Sequence, residues 1–418
     1  MAALGLFHGR RRRPTFLLFV VLATFTFLYS TDRIFSSTPT TIPKAPIPAG
    51  GAMPAPPGQG QPSSGGGSAT AQQLKDDDIH MDYGTSSRPP FEGFGELTKL
   101  GKLAADHLPA KGNDKRLIII GDVHGMITPL QALLAKINFN AESGRDHLVF
   151  VGNMVSHGPD SAAVVSLAHS LGASGVRGVH EDRVLLAREA GAADAGAHDD
   201  LEQQHLSHGD YADRVVAEAL TPQQVEYLRA FPVILELGHI PTLSNAFVVH
   251  AGLVPGLDLD LQDPWPAMHM RSVVYPREAA RRKKATKKVE DDLHGRTGLF
   301  TAFVSRKAKE AMIDAEHDRT RRPWDRDLVL PVDDYSGEDW ARAWDAVEAP
   351  RAEAERRSIF YGHDTKHGLS IGTNAFGLNS KCVYGGQLSA VVILGTASGV
   401  QTDTVQVDCE KEANPVDD

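Results

Sequence analysis

From residue 116 onward, short apolar runs that end at glycine alternate with segments whose apolar positions recur every three or four residues. Leu117–Ile120, closed by Gly121, is one such run and reads as a buried strand. Thr128-Pro129 reads as a helix N-cap followed by proline at the first helical position. Leu130, Leu133, Leu134 and Ile137 give that helix one apolar face. The alternation continues with a strand at His147–Val151 and a helix at Ser161–Leu171. Later strands are predicted at Ala246–Val249, Ser358–Tyr361, Leu369–Thr373 and Leu388–Leu394. Strands alternating with helices predict an α/β fold.

The pattern is different ahead of this domain. Arg10–Arg13 form a basic cluster, followed by the apolar run Phe16–Tyr29. A membrane span needs about 17–25 residues, and Thr15, Ser30 and Thr31 bring the run to the lower limit. No small-x-small cleavage site stands out after Tyr29, so the segment reads as an uncleaved signal anchor rather than a cleaved signal peptide. The expected organisation is a cytosolic basic tail at 1–13 and a transmembrane anchor at 14–31, with the rest of the chain lumenal or outside. Ser36–Ala71 is rich in Pro, Gly, Ser and Thr and has almost no large apolar residue. Residues 32–111 therefore read as a disordered, flexible linker, with Phe94–Leu108 as one docking helix near its end. The folded domain is expected over 112–410.

A net charge of −10 argues against a general nucleic-acid binder, because phosphate neutralisation needs a basic face. The exception is local. Residues 277–336 interrupt the domain and carry Arg281-Arg282-Lys283-Lys284 and Lys287-Lys288. This patch reads as a solvated insertion, or as a rail for a polyanion, or as a headgroup contact. Cys382 and Cys409 are too few for a disulfide framework and stand either as two buried thiols or as one bridge.

Five segments carry candidate chemistry. They are Gly121-Asp122-Val123-His124, Gly152-Asn153-Met154-Val155-Ser156-His157-Gly158-Pro159-Asp160-Ser161, Gly178-Val179-His180-Glu181-Asp182, His250-Ala251-Gly252 and Gly362-His363-Asp364. Taken singly, each histidine is as readily a hydrogen-bonded structural residue as a metal ligand. As an ordered set they resemble the calcineurin-like metallophosphoesterases, whose pattern is Gly-Asp-x-His, Gly-Asp, Gly-Asn-His-Glu and two separated histidines. The resemblance implies a four-layer α-β-β-α sandwich and two divalent cations (Zn, Mn, Co or Mg) roughly 3.5–4 Å apart. It places Asp122 and His124 on the first metal, position 153 as the bridge, and position 179, His250 and His363 on the second. It makes His180 the acid that protonates the leaving oxygen, and Arg177 either a phosphate clamp or a residue paired within the fold.

Two positions depart from that pattern. Asn153 stands where the bridging Asp is expected, and Val179 where the family has Asn. An amide can offer its carbonyl oxygen but no negative charge, and valine offers no donor. Weaker metal affinity, or one metal instead of two, is the expected consequence. Ser156-His157-Gly158 also replaces the Asp-Arg-Gly of protein serine/threonine phosphatases, which argues against that activity.

The C-terminal run Gly377-Leu378-Asn379-Ser380-Lys381-Cys382-Val383-Tyr384-Gly385-Gly386-Gln387-Leu388-Ser389-Ala390 is similar to a signature of the branch containing bacterial diadenosine tetraphosphatases. Asn379 stands there in place of Asp. Asp263-Pro264-Trp265 and Met268-His269-Met270-Arg271 are similar to further motifs of that branch. Together with the anchor, the chain resembles fungal vacuolar endopolyphosphatase-like type II membrane proteins. The implied activity is metal-dependent hydrolysis of phosphoanhydrides, above all inorganic polyphosphate, in the vacuolar lumen. The implied partners are that substrate and, through the anchor, a membrane. The rival expectations are a catalytically impaired pseudophosphatase that binds polyphosphate or a partner, and a protein phosphatase.

Overall fold

The computed structural model describes residues 97–194, 208–295 and 304–412. The tail, the anchor and the linker as far as residue 96 lie outside them. Among the described residues no helix is long and apolar enough to cross a membrane.

Two sheets dominate. In chain order the strands are β1 (Leu100–Lys102), β2 (Arg116–Ile120), β3 (Asp146–Phe150), β4 (Ser174–Gly175), β5 (Ile234–Ile240) and β6 (Ser244–Val249). They continue with β7 (Ser272–Val274), β8 (Leu330–Val332), β9 (Glu338–Asp339), β10 (Arg357–Tyr361) and β11 (Ser370–Ile371). The last are β12 (Ala375–Gly377), β13 (Gln387–Thr396) and β14 (Gly399–Asp408). One sheet runs β14-β13-β2-β3-β4 and the other β1-β5-β6-β10-β12-β11, while β8-β7-β9 form a small third sheet. The helices are α1 (Ile127–Lys136), α2 (Ser161–Ser170), α3 (Val179–Asp194), α4 (His208–Ala219) and α5 (Pro222–Arg229). After them come α6 (Pro264–His269), α7 (Pro276–Gly295), α8 (Arg306–Thr320) and α9 (Trp340–Glu348).

Alternate residues along each central strand divide between two cores, as strand geometry requires. In β2, Leu117 and Ile119 enter a core shared with Leu235, Leu237, Val248, Phe360 and Ile393, so the two sheets pack face to face. Ile118 and Ile120 point the other way, against Leu130 and Leu133 of α1 and Val164 and Val165 of α2. On the second sheet, Phe247, Val249 and Ile359 face Trp340 and Trp344 of α9 and Met268 of α6. Three cores between four layers make this the expected α-β-β-α sandwich.

Several boundaries differ from expectation. The compact fold begins before residue 112, because β1 pairs in parallel with β5 as an edge strand and Leu103 is buried. The docking helix expected over residues 94–108 is, from residue 97, that strand and the turn Ala105–His107. Helix α1 starts at Ile127 rather than after Thr128, with Met126 at its N-cap. Pro129 then sits inside the first turn, where its missing N–H leaves no intrahelical bond unmade. Leu369–Thr373 contributes only the two-residue β11.

The 277–336 insertion folds as the antiparallel pair α7 and α8, with Ala285, Val289 and Ile313 buried. Half of its basic patch is engaged in ion pairs. Arg281 binds Asp325 at 2.5 Å, Arg282 binds Asp314 at 2.9 Å and Lys288 binds Asp292 at 2.7 Å. That pairing fits the solvated-insertion reading, while Lys283, Lys284 and Lys287 are exposed.

Cys382 and Cys409 form a disulfide across 27 residues, which resolves the open choice in favour of the bridge. It ties the loop before β13 to the end of β14. Closing a loop of that length in the unfolded chain stabilises the fold by about 3.5 kcal/mol on chain-entropy grounds. A Cys382→Ala/Cys409→Ala variant is therefore expected to lose about that much stability in urea titration. A loss below about 1 kcal/mol would show that the bridge constrains little.

Candidate metal centre

The candidate residues sit in loops at the C-terminal ends of β2, β3, β4, β6, β10 and β12. Strands β2, β3 and β4 run parallel, as do β6, β10 and β12, so both sheets aim these loops at one edge of the sandwich. The loops are locked to one another. The Asn153 carbonyl accepts from Val123 N (3.0 Å) and His124 N (2.8 Å). His124, Asn153 and His363 all adopt positive φ (48°, 52° and 61°), an unfavourable region for non-glycine residues that tends to cluster at functional sites. Gly362 has to be glycine, because a Cβ there would overlap Asp122 Oδ1.

Asp122 lies at the centre and is 3% exposed. Its carboxylate accepts from His363 N (3.1 Å), Asn379 Nδ2 (3.1 Å) and Asn153 Nδ2 (3.3 Å). His124 Nε2 lies 3.9 Å from Asp122 Oδ2, and the His250 and His363 rings are 5.1 Å apart. Asp122, His124, Asn153, His250 and His363 are thus brought together. Burial pushes the Asp122 carboxyl up to about 7, against the pull of these donors.

The two histidines from the second sheet suit a cation. His250 donates Nδ1–H to the Val151 carbonyl (2.8 Å), which leaves the lone pair on Nε2. That Nε2 is buried without a hydrogen-bond partner. His363 donates Nε2–H to the His269 carbonyl (3.1 Å), leaving its lone pair on Nδ1. A carbonyl that fixes the far nitrogen is the usual support of a metal-bound imidazole. Burial holds both rings neutral, His250 down at about 3 and His363 well below its ordinary value. His250 and His363 therefore each offer a neutral imidazole nitrogen to a cation. Position 153 behaves differently: its amide hydrogen-bonds Asp122 and, through Oδ1, accepts from His180 N (3.2 Å). Val179 is buried and offers no donor.

Arg177 does not reach the site. Its guanidinium is buried against Asp182 (3.3 Å) and the Arg229 carbonyl (3.0 Å), so it pairs within the fold and is not a phosphate clamp. His180 is nearby but 1% exposed, with its Nε2 facing His157 Nε2 at 2.9 Å rather than the cavity. Glu181 anchors the loops from beneath, accepting from Asn153 N, Met154 N, Val155 N and Gly178 N.

A polar cavity of about 500 Å³ opens over Asn153, His124 and His363. It is also lined by residues given no role at the sequence level, Tyr335 and Lys366, together with Arg271. Arg271 donates to Tyr335 Oη (3.1 Å), and Tyr335 donates to Asp364 Oδ1 (2.8 Å). Lys366 Nζ lies 4.2 Å from the centre of the Tyr335 ring. The Met-Arg pair at 270–271 was the available signal for this wall. Tyr335 comes from the end of the insertion, where no pattern marks it.

A profile of the calcineurin-like phosphoesterase family matches residues 115–366. The chain is 28% identical over 312 residues to a symmetrical bis(5'-nucleosyl)-tetraphosphatase of Ralstonia nicotianae, covering 71% of this chain and 95% of that protein. It is 34% identical over 143 residues to a protein of the same description from Pectobacterium atrosepticum, covering 34% of this chain and 44% of that one. Among solved structures, a candidate diadenosine tetraphosphatase aligns with a TM-score of 0.48 at 23% identity, over 76% of this chain and all of that one. With the profile spanning every loop that converges on Asp122 except that of Asn379, the chain belongs to the calcineurin-like phosphoesterase family of divalent-metal-dependent hydrolases.

Proposed function

We propose that this protein hydrolyses phosphoanhydride bonds, with inorganic polyphosphate as its principal substrate. Asp122, His250 and His363 hold the divalent ion, with His124 adjoining. Bound there, the ion supplies charge to offset that developing on the phosphoryl oxygens. The observation that carries the reading is the cavity wall beside His363, whose carbonyl accepts from Arg271 Nη1 at 3.4 Å. Arg271 and Lys366 both approach the Tyr335 ring, so two cations are gathered above a phenol fixed by Asp364. Two positive charges along one wall suit a chain of phosphates, and a ring engaged in this way is poorly placed to stack a base. The relatives described as bis(5'-nucleosyl)-tetraphosphatases support a phosphoanhydride as the bond class.

The disulfide supports placing this domain in an oxidising compartment, in keeping with a signal anchor at 14–31 and a vacuolar lumenal location. Protection from added protease in sealed membranes tests that topology, and digestion without detergent would overturn it.

For the activity, purified full-length protein reconstituted with Zn, Mn, Co or Mg is expected to shorten polyphosphate faster than it cleaves diadenosine tetraphosphate. Arg271→Ala is expected to lower kcat/KM on polyphosphate roughly 10- to 100-fold, the worth of a hydrogen bond to a charged group. Faster cleavage of the dinucleotide would reassign the substrate. A second reading rests on the amides of Asn153 and Asn379 that hold Asp122. Polyphosphate binding without turnover under every metal would make the protein a pseudophosphatase.

A further inference from the structure

The third histidine of a compact group lies in the Ser156-His157 segment, where the family resemblance had assigned no metal. His124, His157 and His180 each bring one ring nitrogen within 4.8 Å of the others. Their rings are mutually near-perpendicular, at 74°, 73° and 86°, with centroids 4.4–5.2 Å apart. Edge-on rings whose nitrogens converge are arranged around a point and are not stacked against one another.

We infer that His124, His157 and His180 form a nitrogen-only site for a borderline-soft divalent cation such as zinc, beside the Asp122/His250/His363 centre. In tetrahedral zinc coordination, Zn–N bonds of about 2.0–2.1 Å put two ligand nitrogens about 3.3 Å apart. His157 Nε2 and His180 Nε2 are 2.9 Å apart, so modest separation admits the ion. The support around the group points the same way. Asp213 Oδ1 lies 3.8 Å from His180 Nδ1, so a carboxylate stands on the far side of that ring. The same Asp213 oxygen accepts from Ser156 Oγ (2.9 Å), and Ser156 N donates to Ser161 Oγ (2.9 Å). These bonds hold two successive non-glycine residues, Ser156 and His157, at positive φ (68° and 65°). A strained segment pinned in this way presents His157 to its two partners.

The chemistry of the donors sets the ligand. Three imidazoles suit zinc or cobalt and disfavour magnesium, which takes oxygen. The site supplies donors lost at Asn153 and Val179, and it makes His180 a ligand in place of the acid expected from the resemblance. It extends the reading of a metal-dependent hydrolase. Because its test measures binding, its failure leaves that reading standing.

Cobalt titration of metal-stripped full-length protein, followed by visible absorption, tests the site. Wild type is expected to take two equivalents. His157→Ala is expected to take one, with the apparent Kd for the other raised at least tenfold, while His250→Ala retains the His157-dependent equivalent. His157→Asn, which keeps a polar side chain, serves should the alanine variant not fold, and is expected to lose the same equivalent. X-ray absorption of the zinc-loaded His250→Ala protein is expected to show three imidazole scatterers. Titration of both His157 variants identical to wild type, or an oxygen-dominated zinc shell in His250→Ala, would overturn the site.

Discussion

Glu181→Gln is expected to destabilise the fold by about 3–5 kcal/mol and to release bound metal, although Glu181 does not itself line the cavity. The carboxylate is fully buried and accepts four backbone N–H groups, from Asn153, Met154, Val155 and Gly178. Glutamine keeps one acceptor oxygen and turns an NH2 toward two of those donors. Two buried N–H groups then lose their acceptor, and hydrogen bonds to a charged group are worth about 1.5–3 kcal/mol each. The damage spreads along a definite route. The Asn153 backbone that Glu181 holds in turn accepts Val123 N and His124 N, so the His124 loop loses its support as well. Urea unfolding monitored by circular dichroism, with metal content measured in parallel, checks both effects. A cost below about 1 kcal/mol with metal retained would mean that the loops hold themselves.

That glutamate illustrates what the sequence could and could not show. Glu181 stood inside a recognisable segment, yet its task became visible only when residues 153–155 were brought against it from 26–28 positions away. Asp122, His124, His250 and His363 were legible because each follows a short apolar run, and strands of parallel sheets present their ends to one edge. Strand β5 was harder to find, because a register irregularity between Glu236 and Gly238 breaks its apolar run. Strand β14 is largely exposed or half-buried and, among the described residues, pairs only with β13. The ion pairs of the basic patch were not legible, since the acidic partners Asp314 and Asp325 lie on elements 32 and 44 residues further on. Arg177 had two readings, and only the nearness of Asp182 and the Arg229 carbonyl separated them.

Restoring the family's donors, Asn153→Asp with Val179→Asn, is expected to leave the metal-free protein several kcal/mol less stable and the metal-loaded protein with a fuller two-ion centre. In the native chain the Asn153 amide donates to Asp122 Oδ2 at 3.3 Å. The carboxylate introduced by Asn153→Asp would set two negative charges at about the same separation, worth roughly 5 kcal/mol of repulsion at an effective dielectric near 20. Part of that cost is avoided by protonation, since burial already raises Asp122 to about 7. A dication between the carboxylates converts the repulsion into attraction. The variant's thermal midpoint should therefore fall well below wild type in chelator and recover with added zinc or manganese, to a greater extent than wild type does. Polyphosphate turnover should rise as well. Equal midpoints in chelator would show that the Asn153–Asp122 contact contributes nothing to the metal-free fold. The contrast explains how this chain tolerates the loss of the bridging carboxylate: an amide at 153 stabilises Asp122 without a second ion, so the central site keeps its shape with fewer charges to neutralise.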